Sequence, residues 1–110
     1  MPTDPIDEQL AAYNARDLER FLACYAPDVL VEDGSGTVLG QGIDAMRAAY
    51  SALFAGSPDL HADVLNRIRA GDFVIDEERV TGMPGSSEPV HAAVVYRLSD
   101  GQIAQVRMLR

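Results

Sequence analysis

The chain has 110 residues, 47% hydrophobic and 24% charged, which fits one folded domain spanning residues 1–110. Its net charge of −8 and its pI near 4.5 argue against nucleic acid and anionic membranes as partners, because both would repel it. No apolar run approaches the roughly 18 residues that span a bilayer. The acidic start Met1-Pro2-Thr3-Asp4-Pro5 lacks the order of a signal peptide, so we expect a cytoplasmic protein.

Cysteine, histidine and glycine form no pattern that requires a cofactor. Cys24 is the only cysteine, which rules out an internal disulfide and a multi-cysteine metal site and favours a buried structural thiol. His61 and His91 lie in no metal-binding spacing. Gly40 and Gly42 lack the strand, turn, helix and later acid of a dinucleotide loop. The sequence therefore predicts no metal and no cofactor.

The first half of the chain carries helix signals. Asp4 is placed as an N-cap before Pro5, and apolar residues then recur at helical spacing. Three helices with one apolar face each are predicted, over about 4–16, 17–27 and 43–55. The second of them places Tyr25 on its apolar stripe, and the third places Tyr50 there.

The pattern of the second half predicts strands joined mostly by tight turns. The predicted strands cover 60–70, 73–82, 88–99 and 102–110, and earlier ones cover 29–33 and 37–39. Helices followed by an antiparallel meander indicate an α+β domain, with three N-terminal helices packed on one face of a curved, mostly antiparallel sheet.

Asp33 is the first candidate for chemistry. A strand period of two places it on the same face as Val29 and Val31, so its carboxylate would point inward. Such a group must be paired, hydrogen-bonded or partly protonated, and its pKa should rise above about 3.9. The alternative is that Asp33 caps the turn formed with Gly34 and Ser35 and has no further role.

Tyrosines form the rest of the predicted pocket. Along the strand over 88–99, Ala92, Val94 and Tyr96 share an interior face. Tyr25 and Tyr50 would reach the same concavity from their helices, although packing alone also explains buried tyrosines. Val106 and Met108 are further candidates for its lining.

The facing of three other polar residues is open. Glu77 and Arg79 share one strand face and either form a charged patch at the cavity mouth or point outward. His61 alternates with apolar neighbours and has no clear side, whereas His91 falls on the face opposite the apolar set.

Four stretches resemble the nuclear transport factor 2-like superfamily, and within it the ketosteroid isomerases and SnoaL-type polyketide cyclases. They are residues 16–22, 25–33, 40–50 and 100–103. The resemblance implies a cone-shaped α+β barrel with a pocket at one end and dimers that pair through the outer sheet faces. It also implies that Asp33 is the general base and that Tyr25 and Tyr50 support the hydrogen-bond network of the pocket.

Two positions depart from the isomerase pattern that this resemblance implies. Gln9 falls near the position of the oxyanion-hole tyrosine, and Val94 falls on that of the oxyanion-hole aspartic acid. Each such donor contributes on the order of 3 kcal/mol to catalysis. A true steroid isomerase is therefore not expected.

Three functions stay open from the sequence. The first is an isomerase or cyclase that abstracts a proton from a small apolar carbonyl compound with Asp33 as base, and the others are a non-catalytic binder of apolar ligands and a homodimerisation domain. Epoxide hydrolysis, known in a sister branch, would require inward-facing Glu77 and Arg79 beside Asp33. The sequence does not identify the substrate.

Overall fold

The structure, a computed structural model, describes residues 4–110. Met1–Thr3, which belong to the segment compared with a signal peptide, lie outside the described residues. These residues form three helices and one six-stranded sheet. The helices are α1 (Pro5–Ala15), α2 (Leu18–Leu22) and α3 (Ile43–Ala55). The strands are β1 (Tyr25–Asp33), β2 (Val38–Gln41), β3 (His61–Ala70), β4 (Phe73–Thr81), β5 (Val90–Ser99) and β6 (Gln102–Leu109).

The sheet has the order β2-β1-β6-β5-β4-β3. Its neighbours pair antiparallel except β1 and β6, which run parallel. The sheet curls around the helices without closing, which confirms the predicted cone-shaped α+β fold but makes the barrel an open one. No helix in the described part of the chain has both the length and the apolar composition that a membrane crossing needs.

Helix α1 begins and ends at its predicted signals. The Asp4 carboxylate accepts a hydrogen bond from the Ile6 amide at 2.8 Å, and Pro5 occupies the first turn. The helix ends at Arg16, which adopts a left-handed conformation with φ of 53°. Its inward face buries Ile6, Gln9 and Ala12. Gln9 is thereby held in the interior although it is polar.

The predicted end of the second helix is wrong. Helix α2 stops at Leu22, and Tyr25 opens β1 instead of lying on a helical stripe. The Cys24 carbonyl accepts a hydrogen bond from the Ile103 amide at 2.9 Å, and Tyr25 pairs with Ile103 in the parallel ladder. This contact joins distant parts of the chain and overrides the local helix preference.

An aromatic cluster joins the helices to the sheet. Phe21 is 1% exposed, and its ring centroid lies 4.6 Å from that of Tyr50 and 5.0 Å from that of Tyr25. Tyr13 and Phe54 pack on the same ring. Tilted and edge-on contacts of this kind add to the stabilisation that burial provides. The cluster therefore positions Tyr25 and Tyr50 beside each other.

The meander from β3 to β6 settles the facing of the polar strand residues. Opposite β5, the inner face of β4 presents Asp76 beside Val94 and Glu78 beside Ala92. Glu77 lies on the outer face, where its carboxylate is 2.7 Å from the imidazole Nε2 of His91. Arg79 is exposed on that same outer face. The outward alternative for Glu77 is therefore the correct one, and His61 is also exposed.

Asp76 is fully buried and paired. The guanidinium group of Arg67 on β3 lies 2.6 Å and 3.0 Å from its two carboxylate oxygens, through Nε and Nη2. Arg67 also binds Asp7 on α1. The two-pronged geometry satisfies a buried charge that would otherwise be costly, and it ties α1 to the sheet.

We expect Arg67→Met to lower the free energy of unfolding by about 3–5 kcal/mol, because it leaves the Asp76 carboxylate buried without a partner. Urea unfolding followed by circular dichroism measures this loss. The matched control is Arg69→Met, which removes an ion pair to Asp4 between partly exposed side chains and should cost less than about 1 kcal/mol. Equal effects of the two substitutions would contradict the structural role of Arg67.

Candidate functional site

A cavity of about 60 Å³ lies between the inner face of the sheet and the helices. It holds room for only a few water-sized groups. Apolar side chains form most of its wall, but seven polar side chains also line it: Gln9, Tyr13, Tyr25, Tyr50, Glu78, Tyr96 and Arg110. Convergent polar groups in an apolar cavity are the usual composition of a small-molecule site.

Glu78 is the acidic group of this cavity. It is 8% exposed, and burial together with the nearby charge of Asp76 raises its pKa to about 7. A hydrogen-bonding interaction with Tyr96 acts in the opposite direction. Within residues 4–110, no basic side-chain nitrogen lies within 4.0 Å of the Glu78 carboxylate. Glu78 can therefore gain and lose a proton near neutral pH.

Gln9 orients two phenols in the cavity. Its amide nitrogen donates to the Tyr96 hydroxyl oxygen at 3.3 Å and to the Ile6 carbonyl at 3.1 Å, while its amide oxygen accepts from the Tyr25 hydroxyl at 3.2 Å. Because Tyr96 accepts from Gln9, the phenolic hydrogen of Tyr96 is available to Glu78 or to a ligand. Burial raises the pKa of both tyrosines well above the ordinary value, so both remain neutral donors.

A second chamber of about 210 Å³ adjoins the first, between α3 and the β1–β2 edge. Apolar side chains dominate it, including Val31, Met46 and Leu53. The two chambers share five lining residues: Tyr13, Tyr50, Met83, Met108 and Arg110. They therefore form one depression with a polar inner end and an apolar outer part. We call them the inner chamber and the outer chamber.

Seven of the residues named from the sequence line the inner chamber together. These are Tyr25, Tyr50, Ala92, Val94, Tyr96, Val106 and Met108. Tyr50 and Met108 line the outer chamber as well. Val94 contributes only an apolar surface to the inner chamber. The oxyanion-hole donor of the isomerase pattern is therefore missing from the chamber wall at this position.

Asp33 does not line either of these chambers. Its carboxylate caps the turn after β1, where it accepts hydrogen bonds from the Ser35 amide at 2.9 Å, the Ser35 hydroxyl at 2.7 Å and the Thr37 amide at 3.0 Å. These bonds lower its pKa. Asp33 shares the predicted face with Val31, but the expected raised pKa is wrong, and the carboxylate caps the turn as in the alternative.

The position of Asp33 at the end of β1 explains the error. The parallel ladder from Leu30 to Asp33 is regular and aligns Asp33 with Met108, so the period of two does place Asp33 on the inner face. The irregularity in the β1–β2 ladder skips Leu39 of β2 and leaves β1 unbroken. Asp33 is the last residue of the strand, however, and its carboxylate bonds to the turn that follows instead of entering the chambers.

Glu78 and Gln9 are among the site residues that sequence reasoning did not select. Both faces of β4 carry acids, so alternation alone did not show which face was inner. One usable signal was that Val74 and Val80 bracket the acids of the inner face. Gln9 was noted only as a missing tyrosine, although its amide can bond two phenols at once.

No cluster of three or more metal-ligating side chains occurs among residues 4–110. Cys24 is buried, and burial raises the pKa of its thiol to about 11. A thiol of this kind is a poor nucleophile at neutral pH. The chemistry of the site therefore depends on Glu78 and its phenol partners.

Carbon-13 NMR titration should separate the two acids named above. We expect the side-chain carboxyl carbon of Glu78 to titrate with a midpoint near pH 7 and that of Asp33 to titrate below its ordinary value of 3.8. Glu78→Gln and Asp33→Asn assign the two signals. A Glu78 midpoint near its ordinary value of 4.5 would show that its carboxyl group is solvated.

Solved structures similar to this chain come from several bacteria. An uncharacterised cystatin-fold protein from Novosphingobium aromaticivorans is 27% identical, with a TM-score of 0.87 over 96% of this chain and 95% of its own. A proposed polyketide cyclase from Sinorhizobium meliloti is also 27% identical, with a TM-score of 0.81 over 97% and 94%. A proposed ketosteroid isomerase from Kribbella flavida is 18% identical, with a TM-score of 0.80 over 96% and 73%, which shows a shared fold.

None of the curated proteins compared with the chain matches it significantly. The family model of the SnoaL-like domain does match, over residues 6–106. This range includes most of α1 through most of β6 and every polar residue of the inner chamber except Arg110. The chain therefore belongs to the SnoaL-like domain family, within the nuclear transport factor 2-like superfamily.

Proposed function

We propose that this protein catalyses proton transfer on a small carbonyl compound, as an isomerase or cyclase, with Glu78 rather than Asp33 as the general base. The observation that carries this proposal is a buried carboxyl group without an ion-pair partner, facing a cavity beside a phenol donor. A pKa near the working pH suits an acid or base that must both take and return a proton. The similarity to a proposed polyketide cyclase supports the same class of chemistry.

The proposed reaction begins when the Glu78 carboxylate removes a proton from the carbon next to a carbonyl group. The phenolic hydrogen of Tyr96 bonds to the carbonyl oxygen, where negative charge develops. In an isomerisation, the protonated Glu78 then returns the proton to a different carbon. In a cyclisation, the enolate carbon instead attacks a second carbonyl group, and the resulting alkoxide takes the proton.

Tyr25 and Gln9 act through Tyr96 in this scheme. The Tyr25 hydroxyl donates to Gln9, and Gln9 in turn donates to the Tyr96 oxygen. This chain of donors directs the Tyr96 hydrogen away from Gln9. Tyr50 lines both chambers and contributes to the shape of the site.

The volumes of the two chambers limit the size of the substrate part that they can enclose. The inner chamber of about 60 Å³ and the outer chamber of about 210 Å³ are each below the volume of about 300–1,000 Å³ typical of sites for drug-sized ligands. An apolar cavity of about 150 Å³ holds one benzene molecule. We therefore propose that the part of the substrate enclosed by the two chambers is small and largely apolar, with about one ring in the outer chamber. An open depression of about 540 Å³ adjoins the outer chamber at Leu39, Met108 and Arg110 and leaves room for a longer substrate.

Epoxide hydrolysis does not fit this arrangement. Its condition, an inward-facing Glu77 and Arg79 beside Asp33, is not met, because Glu77 pairs with His91 on the outer face. A second acid and arginine do lie on the inner side, but Asp76 and Arg67 bind each other and neither lines the inner chamber.

Exchange of α-hydrogens in D₂O tests the proposed base without knowledge of the natural substrate. We expect the protein to accelerate exchange in small cyclic ketones, followed by proton NMR, and Glu78→Gln to slow it by about 10²–10⁴-fold. Since the carboxylate is the active form, the rate should fall as the pH drops below about 7. Glu77→Gln, on the outer face, is the matched control.

Unchanged exchange in Glu78→Gln would overturn the proposed base. Ligand binding in the outer chamber without any exchange would favour the second candidate, a non-catalytic binder of apolar ligands. The apolar lining of the outer chamber is the observation that supports this candidate.

We also propose that two copies pair through the outer face of the sheet. Ile68, Phe73 and Leu109 are exposed there by 53%, 45% and 37%. The strand register aligns Ile68 with Ile75 and Val95 across β3, β4 and β5. An apolar row of this kind on an outer sheet face is typical of a subunit interface.

Ile68→Glu should convert the proposed dimer to a monomer, because it places a charge at the exposed β3 end of the apolar row. Sedimentation velocity measures the change in mass. Leu39→Glu is the control, since Leu39 is 59% exposed but lies in the opposite edge strand β2, where it lines the outer chamber. A monomeric native protein at micromolar concentration would contradict the proposal.

A further inference from the structure

Arg110 lies where the inner and outer chambers meet, and it lines both. Its positive charge acts on three groups of the depression, because it lowers the pKa of Tyr13, Tyr50 and Glu78 relative to what burial alone would produce. One cation can shift the pKa of three separate groups only if its guanidinium group lies near the cavity that they line. Arg110 is therefore part of the rim of the site.

This cation has no acidic partner within the described residues. Between residues 4 and 110, no carboxylate oxygen lies within 4.0 Å of the Arg110 guanidinium group. Five of the eight other arginines do have such partners: Arg20, Arg47, Arg67, Arg69 and Arg107. Arg16, Arg79 and Arg97 also have none within the same range, but they do not line the two chambers. An unpaired arginine at a cavity is notable in a chain whose net charge is −8.

The lining near Arg110 divides into three chemical parts. Glu78 and Tyr96 occupy the inner chamber, Met46 and Leu53 belong to the apolar wall of the outer chamber, and Arg110 stands at their junction. A guanidinium group binds carboxylates through two parallel hydrogen bonds, which fixes orientation as well as charge. A ligand with an anionic group at Arg110 would have its apolar part and its carbonyl directed into different chambers.

We infer that Arg110 is a specificity-determining residue that binds a carboxylate of the substrate at the junction of the two chambers. This inference rests on the proposed function, because it names the class of molecule on which Glu78 acts: a small keto acid with an apolar group. The negative chain as a whole repels such an anion, so a local cation at the rim is what allows it to bind.

The test compares a carboxylate probe with its neutral counterpart. The probes are 3-phenylpropanoate and 3-phenylpropanamide, whose ring matches the outer chamber, and their affinities are measured by NMR shift titration at pH 6. At this pH the acid is ionised while Glu78 is mostly protonated, so Glu78 does not repel it. We expect the acid to bind about tenfold more tightly than the amide.

Arg110→Gln should remove that preference, and Arg110→Lys should restore part of it. Arg107→Gln is the matched control, since Arg107 lies near Glu32, 3.5 Å away, and does not line the two chambers. The control should keep the tenfold preference. Arg110 is exposed, so its substitution should leave the fold intact, which circular dichroism checks.

Equal affinity for the two probes, a preference that survives Arg110→Gln, or binding of neither probe would overturn the inference. These outcomes leave the titration of Glu78 and the exchange assay unaffected. Conversely, a preference for the acid that depends on Arg110, together with a solvated Glu78 and no exchange, would uphold this inference as one about binding and overturn the proposed function alone.

Discussion

The ion pair between Arg67 and Asp76 is the interaction on which the rest of the site depends. The inner face of β4 carries two carboxylates, Asp76 and Glu78, and two like charges at this spacing disfavour each other. Arg67 satisfies both oxygens of Asp76 and also reaches Asp7 on α1. One acid is thereby paired with an arginine in a structural contact, and the other is left with a raised pKa for chemistry.

The raised pKa of Glu78 has a cost for stability. Its pKa is about 7 in the fold against an ordinary value of 4.5, so the fold favours the protonated form. The cost is absent below pH 4.5, grows as the pH rises to 7 and is complete above it, at on the order of 3 kcal/mol. Tyr96 offsets part of it by hydrogen bonding. A strained acid of this kind is typical of functional sites rather than of packing.

The depression combines three chemical features: a hydrogen-bond donor, an apolar volume and a positive charge. Gln9 and the phenols direct a donor inward, the outer chamber supplies apolar volume, and Arg110 supplies a positive charge at the rim. Each element of the fold contributes to one of them: α1 holds Gln9, α3 forms the apolar wall, and the central strands carry Glu78 and Tyr96. The open cone is therefore what brings a polar floor and an apolar wall together.

Capping residues and hydrophobic periodicity are local signals, and they predicted the three helices, the antiparallel meander and the interior face of β5. It also brought Tyr25, Tyr50 and Tyr96 forward as residues of one concavity. The identity of the reactive acid depends on the fold. The turn after β1 binds the Asp33 carboxylate, and the pairing of Asp76 with Arg67 leaves Glu78 without an ion-pair partner. The second effect depends on contacts between separate strands, which no local periodicity records.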